Sequence, residues 1–204
     1  MCGIVGYIGE RQAMPILLEG LKRLEYRGYD SAGICVNYKG NLTTVKRIGK
    51  IKDLREIVPS NFEGHTGIGH TRWATHGEVT DANAHPHNDD TDKIVLVHNG
   101  IIENHEALRT SLRDKGVVFQ SETDTEVVAH LIASHYDGDI LATVQHSLSL
   151  IKGSFAIALV HKDHPDQIIA AAKESPLAIG IGNGETFIAS DTSAFLVHTR
   201  QVIY

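Results

Sequence analysis

Cysteine is almost absent from this chain. It has two, Cys2 and Cys35, and no Cys-x-x-Cys pair, which argues against a disulfide framework and makes a reducing, cytoplasmic setting the expectation. No apolar run approaches the ~20 residues that cross a bilayer. No apolar segment follows a basic N-terminal stretch, as a secretory signal would, so the Asn-Leu-Thr sequon at Asn41 carries little weight. Basic runs are missing too. Lys and Arg number 19 against 25 Asp and Glu, a formal charge of -6. That balance does not suit duplex nucleic acid, whose binding rests on Lys and Arg. There is one Trp, and internal repeats and low-complexity linkers are lacking. What is present is ordinary: 204 residues, 42% hydrophobic and 22% charged. That is enough for one domain, 1–204, with a real core. The thirteen histidines invite a metal reading, above all His85 and His87 in "NAHPHNDD", with His98 nearby. No HExxH helix occurs, and a polar loop accounts for these residues better than a metal site. No metal or organic cofactor is expected.

The periodicity alternates strand and helix at first, then turns to strands. "CGIVGYIG" reads as a short buried strand. "RQAMPILLEGLKRLEYRG" reads as a helix with Met14, Leu17, Leu18, Leu21 and Leu24 on one face and Gly28 as its C-terminal cap. "SAGICVNY" and "LTTVKRIG" form a hairpin about Lys39-Gly40-Asn41, with Cys35 as a small buried hydrophobe. "KIKDLREIV" is a short helix, "TGIGHTRWATHGEV" a strand dissolving into a polar loop, and "KIVLVHNGIIEN" a buried strand. Three helices follow. The first is capped by Asn104 and stopped at Gly116, the second opens with a Thr123–Glu126 capping box, and the third carries Leu141, Val144, Leu148 and Ile151 on one face. From Ser154 come five strands, "SFAIALVHK", "QIIAAAKE", "PLAIGIG", "ETFIAS" and "AFLVHT", with a hairpin at Asn183-Gly184. The order is not a strict βαβ alternation. It predicts an α+β fold of two stacked, mainly antiparallel sheets with helices outside. The apolar end "RQVIY", without a polar tail, suggests a longer parent chain.

Four stretches offer chemistry. Cys2 stands behind the initiator methionine. If Met1 is removed, the thiol (pKa about 8.5 when free) shares its residue with an amine of pKa about 7.7–8.0. One residue then supplies nucleophile and base, as in N-terminal threonine hydrolases. "GHTRWATHGE" places Arg72, Trp73, Thr75 and His76 in a loop after a strand. Arg72 is suited to a bidentate carboxylate, while the loop is equally read as surface, with Trp73 plugging the core. Asn99-Gly100 reads either as a type I′ turn or as an oxyanion hole built from the Asn99 amide and the Gly100 N–H. Asp124 opens a helix, where it serves the helix dipole or holds a substrate ammonium. Arg72 and Asp124 together would read an α-amino acid.

"MCGIVGYIG", "LEYRGYDSAG", "GHTRWATHG", "VHNGIIENH" and "SETDTEV", in this order, resemble the class II glutamine amidotransferases, a family of N-terminal nucleophile hydrolases. "RGYDSAG" with "TRWATHG" is most similar to the N-terminal glutaminase domains of the glucosamine-6-phosphate synthase (glutamine–fructose-6-phosphate aminotransferase) branch. Amidophosphoribosyltransferases, the alternative, read closer to "RGQDSAG" and lack "TRWATHG". The resemblance covers the whole chain and implies a four-layer αββα sandwich. It implies that Cys2, freed of Met1, attacks the amide of L-glutamine with its own amine as base, passing through a γ-glutamyl thioester. Asn99 and Gly100 match the oxyanion hole, Arg72 the residue for the substrate carboxylate, and Asp124 the one for its ammonium. Trp73, Thr75 and His76 match a loop that closes over glutamine, and Arg27 a residue supporting the nucleophile. The partner implied is a C-terminal sugar-phosphate isomerase half with a fructose 6-phosphate site, not contained in these residues. Family dimers are built largely through that half, so this piece alone is expected to be monomeric.

Overall fold

The computed structural model describes residues 2–74 and 77–204. Met1, Thr75 and His76 lie outside the described residues. Eleven strands and five α-helices are described. In chain order they are β1 (Gly3–Gly9), α1 (Ala13–Arg23), β2 (Ser31–Tyr38), β3 (Asn41–Ile48), α2 (Ile51–Ile57), β4 (Thr66–Arg72), β5 (His87–Asn88) and β6 (Ile94–Ile102). Then come α3 (His105–Asp114), α4 (Asp124–His135), α5 (Ile140–Ser149), β7 (Gly153–His161), β8 (His164–Lys173), β9 (Ala178–Ile181), β10 (Glu185–Ala189) and β11 (Val202–Ile203).

The strands form two antiparallel sheets, one in the order β11-β9-β10-β1-β4-β2-β3 and one in the order β5-β6-β7-β8. Three apolar clusters show how they stack. Leu17, Leu21 and Leu24 from the helical stripe meet Val5, Ile34 and Phe187 on the outer face of the seven-stranded sheet. Val127, Val128 and Leu131 of α4 meet Leu96, Ile157 and Leu159 on the outer face of the four-stranded sheet. Between the sheets lie Ile4, Cys35, Ile68, Val95, Val97 and Ala158. This is the expected order of helix, sheet, sheet, helix. Each fully buried Leu or Val contributes about 1.5–3 kcal/mol relative to exposure.

Several local expectations are corrected. Helix α1 ends at Leu24 and tightens into a single 3-10 turn over Glu25–Arg27. Gly28 is therefore no left-handed cap: its φ is -171°, extended backbone. It is required for closeness, since a Cβ there would sit 2.7 Å from the Arg72 carbonyl carbon. Leu141 is exposed, and α5 buries Ile140, Thr143, Val144 and Ser147 instead. "AFLVHT" forms no strand but a 3-10 turn over Thr192–Ala194 and further turns. The capping box on α4 is half made. Thr123 accepts from Glu126 N, but the Glu126 carboxylate reaches Gln120 N and Ser121 N rather than its own N-cap. Asn104 ties its side chain to Leu150 O and Lys152 N rather than capping α3.

Candidate active site

Strand alternation gathers the site. Side chains two apart on a strand share a face. Ile4 of β1 faces the other sheet, so Cys2 just ahead of the strand follows it. Ile68 of β4 faces inward, and so do His70 and Arg72. Val95 and Val97 of β6 face inward, and so does Asn99. The antiparallel pairing of β1 with β4 sets Gly3 opposite Thr71, which brings Cys2 level with the Arg72–Trp73 end of β4. Cys2, Arg72, Trp73, Gly100, Thr123 and Asp124 thus line one polar cleft.

The Cys2 thiol is held by the backbone of Trp73. Trp73 N–H donates to Sγ at 3.3 Å, and the thiol lies 3.5 Å from Trp73 O. Burial pushes its pKa above the ordinary value, and the Trp73 N–H only partly offsets this. The thiol therefore needs a base. The Cys2 carbonyl accepts from Arg27 Nε at 2.9 Å and from Asn99 Nδ2 at 3.2 Å. The Arg27 guanidinium also lies 4.0 Å from Asp191.

Asn99-Gly100 is no hairpin turn. Both residues sit inside β6, paired with Ala156 and Phe155. Gly100 has φ +124°, and a Cβ would stand 2.1 Å from Ser154 O. Only glycine allows the strand to bend here while remaining paired.

Arg72 is buried, at 3% exposure. Its guanidinium donates to Glu78 O at 3.0 Å and Gly77 O at 3.3 Å. The Asp124 carboxylate accepts from Ile102 N at 2.8 Å, tying the start of α4 to the end of β6. The cleft measures about 20 Å³, room for one water and less than an amino acid needs. Trp73 does not plug the core: it is 43% exposed, edge-on to Tyr29 at 5.4 Å. Size alone would point elsewhere. A groove of about 650 Å³ lies between Lys46, Asp89, Glu126 and His130. Its Lys46 already serves the Ala82, Ala84 and Pro86 carbonyls, and its Glu126 serves Gln120 and Ser121.

His85 is buried and lines the cleft itself, and His87 is buried in the wall of the larger groove. His85 Nε2 is 2.8 Å from Thr125 Oγ1, and His87 Nε2 is 3.0 Å from Thr123 Oγ1. Among the described residues no group of three His, Cys, Asp or Glu is placed to hold a metal. Sequence reasoning missed three residues. Asp30 accepts from Ala74 N at 2.8 Å and holds the loop start. Gly28 gives Arg72 its room, and His70 bonds Asn99. For His70 the signal was available in its period-2 relation to Ile68 and Arg72.

A family model described as a glutamine amidotransferase domain matches residues 70–197. A glutamine--fructose-6-phosphate aminotransferase [isomerizing] of Caldanaerobacter subterraneus is 57% identical over all of this chain. One from Thermus thermophilus is 52% identical. The chain spans about a third (34%) of the length of both. Among solved structures, the glutamine phosphoribosylpyrophosphate amidotransferase of B. subtilis superposes with a TM-score of 0.86 at 31% identity, over 97% of this chain and 44% of that one. A glutamine aminotransferase class-II domain protein of Silicibacter pomeroyi, at 15% identity and a TM-score of 0.61, shares the fold.

Proposed function

The chain belongs to the glutamine amidotransferase domain family, and on that premise we propose that it is the glutaminase half of a glutamine–fructose-6-phosphate aminotransferase. With Met1 removed, the Cys2 amine takes the thiol proton and Sγ attacks the side-chain amide carbon of L-glutamine. The oxyanion that forms is met by Asn99 Nδ2 and the Gly100 N–H. Such a donor is worth on the order of 3 kcal/mol in an acyl-transfer barrier. The C–N bond then breaks, the protonated amine returns its proton to the leaving nitrogen, and ammonia departs from a γ-glutamyl thioester. Water attacks the thioester and glutamate leaves, so glutamine and water give glutamate and ammonia. Arg72 pairs with the substrate carboxylate, Asp124 with its ammonium, and Arg27 steadies the Cys2 carbonyl. Trp73, Thr75 and His76 belong to the closing loop. The chemistry requires no metal or organic cofactor.

The observation that carries this reading is the convergence of Cys2, Arg72, Gly100 and Asp124 on one cleft. Thiol, oxyanion donor, cation and anion are what hydrolysis of an α-amino acid side-chain amide needs. The acceptor assignment rests on the 57% identity to a fructose-6-phosphate aminotransferase, against 31% to a phosphoribosyl enzyme. In the whole protein the ammonia passes to a sugar-phosphate isomerase half, where fructose 6-phosphate becomes glucosamine 6-phosphate and through which the homodimer forms. A cytoplasmic setting accords with this, because a free nucleophilic thiol must stay reduced. No helix among the described residues is long and apolar enough to cross a membrane.

The test is intact mass combined with ammonia release from glutamine, on wild type and Cys2→Ala. The expected result is a processed N-terminus and activity that Cys2→Ala abolishes. An active enzyme that keeps Met1, or an active Cys2→Ala variant, overturns the mechanism.

A further inference from the structure

Asn99 can serve an oxyanion only if its amide nitrogen, not its oxygen, faces the nucleophile. The two ends of an amide are nearly isosteric, so the surroundings must choose. Asn99 Nδ2 points at Cys2 O, 3.2 Å away, and Asn99 Oδ1 lies 3.0 Å from His70 Nε2. The same His70 nitrogen lies 3.0 Å from the backbone carbonyl of His98. A carbonyl only accepts, so His70 Nε2 must carry the hydrogen. A nitrogen that carries the hydrogen can face Asn99 only where Asn99 accepts.

The imidazole has no second choice. It is fully buried and stacks on His85 at 4.2 Å. Among the described residues its Nδ1 has no hydrogen-bond partner. Burial pushes its pKa down to about 3, with the Asn99 bond pulling the other way. The ring is therefore neutral at working pH and has a single N–H.

We propose that His70 is the positioning residue that orients the Asn99 amide, so that Nδ2 faces the reacting carbonyl. This role rests on the glutaminase reading above. His70 touches neither substrate nor thiol. It acts through Asn99, backed by the His98 carbonyl that sets its tautomer. Among the described residues, without the His70 donor only the Cys2 carbonyl would orient the amide, through one 3.2 Å bond.

The experiment compares two amide variants in the protein as it is naturally encoded. His70→Gln carries an N–H donor near the position of Nε2, and His70→Asn carries one near that of Nδ1. Both bring the same functional group into the same buried site, so a folding cost falls on both. The expected result is that His70→Asn lowers kcat for ammonia release 10- to 100-fold, with KM for glutamine within about threefold of wild type. His70→Gln stays within about fivefold of wild type. Adding Asn99→Ala to His70→Asn lowers kcat no further than Asn99→Ala alone. Alkylation of Cys2 by iodoacetamide, a displacement that builds no oxyanion, proceeds in both variants at the wild-type rate. Equal activity of the two variants overturns the proposal, as does an additive double variant or a parallel loss of alkylation. If instead wild type releases no ammonia, or Cys2→Ala still does, the glutaminase reading itself has failed.

Discussion

Gly28 lies flat against the backbone of Arg72. A Cβ on Gly28 would stand 2.7 Å from the Arg72 carbonyl carbon and 2.8 Å from its oxygen, both of them backbone atoms that cannot swing aside. The contact clamps the end of β4, from which Arg72 and Trp73 emerge, while Asp30 N donates to the same Arg72 carbonyl at 3.0 Å. Gly28→Ala should therefore displace Arg72 and the Trp73 N–H on the thiol. The expected outcome is a rise in KM for glutamine of about tenfold or more and a stability loss of about 1–3 kcal/mol, typical of overpacking. Steady-state kinetics and urea unfolding check it. An unchanged KM would show that the clamp does not govern the site.

Arg72→Ala removes the cation assigned to the substrate carboxylate. A charge-assisted hydrogen bond contributes about 1.5–3 kcal/mol, so KM should rise roughly 10- to 100-fold, with a smaller change in kcat. Asp124→Asn should act in the same direction on the ammonium. Methylamine-capped or decarboxylated glutamine analogues check the pairing. Loss of the substrate carboxylate should cost wild type heavily and Arg72→Ala little. Equal costs in both proteins would refute the assignment.

Gly100→Ala places a methyl where Ser154 O already stands, at a φ of +124° that L residues rarely adopt. The Gly100–Phe155 pairing would part, carrying the Gly100 N–H away from the cleft. Catalysis should fall at least 100-fold in kcat, since removal of one oxyanion donor alone costs about 10²–10³. Stability should fall with it. A variant that keeps wild-type kcat would remove Gly100 from the oxyanion hole.

Acid should unfold the protein through its buried histidines. His70, His85 and His87 all have folded pKa values below the ordinary 6.5, chiefly because burial disfavours the charged ring. The unfolded chain therefore binds more protons than the folded one below about pH 6.5. Stability is complete above that pH and declines as pH falls toward 3, where His70 titrates in the fold. Each such histidine adds a slope of about 1.4 kcal/mol per pH unit. Glu126 adds a later loss, as pH falls from 4.5 toward about 2. Burial raises its pKa, but the approach of His130 at 3.5 Å and hydrogen bonds from Gln120 N and Ser121 outweigh this. Urea midpoints at pH 7.5, 6.5, 5.5 and 4.5 test the sign. His70→Gln should flatten the decline between 6.5 and 4.5, and a flat wild-type profile over that range would contradict the assignment.

Local pattern carried much of the fold. The stripe of Leu17, Leu21 and Leu24 marked α1, and short apolar runs marked β6 and β7. Asn183-Gly184 marked the β9–β10 turn, where Gly184 takes φ +69°. Where two local signals competed, tertiary context decided. Gly28 carried the sequence signature of a cap, but the chain needed its missing side chain for contact with Arg72. Asn99-Gly100 carried the signature of a turn, but β7 pairs across both residues. "AFLVHT" carried the signature of a strand, but Phe195 is used in the core against Phe187 at 5.9 Å, and the backbone turns.

The site divides in the same way. The sequence by itself determined the chemical inventory: a thiol one residue from the chain start, an arginine after a strand, an Asn-Gly pair and a carboxylate opening a helix. It also determined which neighbours share a strand face, because that alternation is a property of the backbone alone. Only the tertiary structure decided that these four meet. Their meeting depends on the register of β1 on β4 and on the stacking of two sheets, which bring residues as far apart in the chain as Cys2 and Asp124 to one cleft. It also decided that His70 is bonded to Asn99, since a hydrogen bond between strands of different sheets leaves no trace in local pattern.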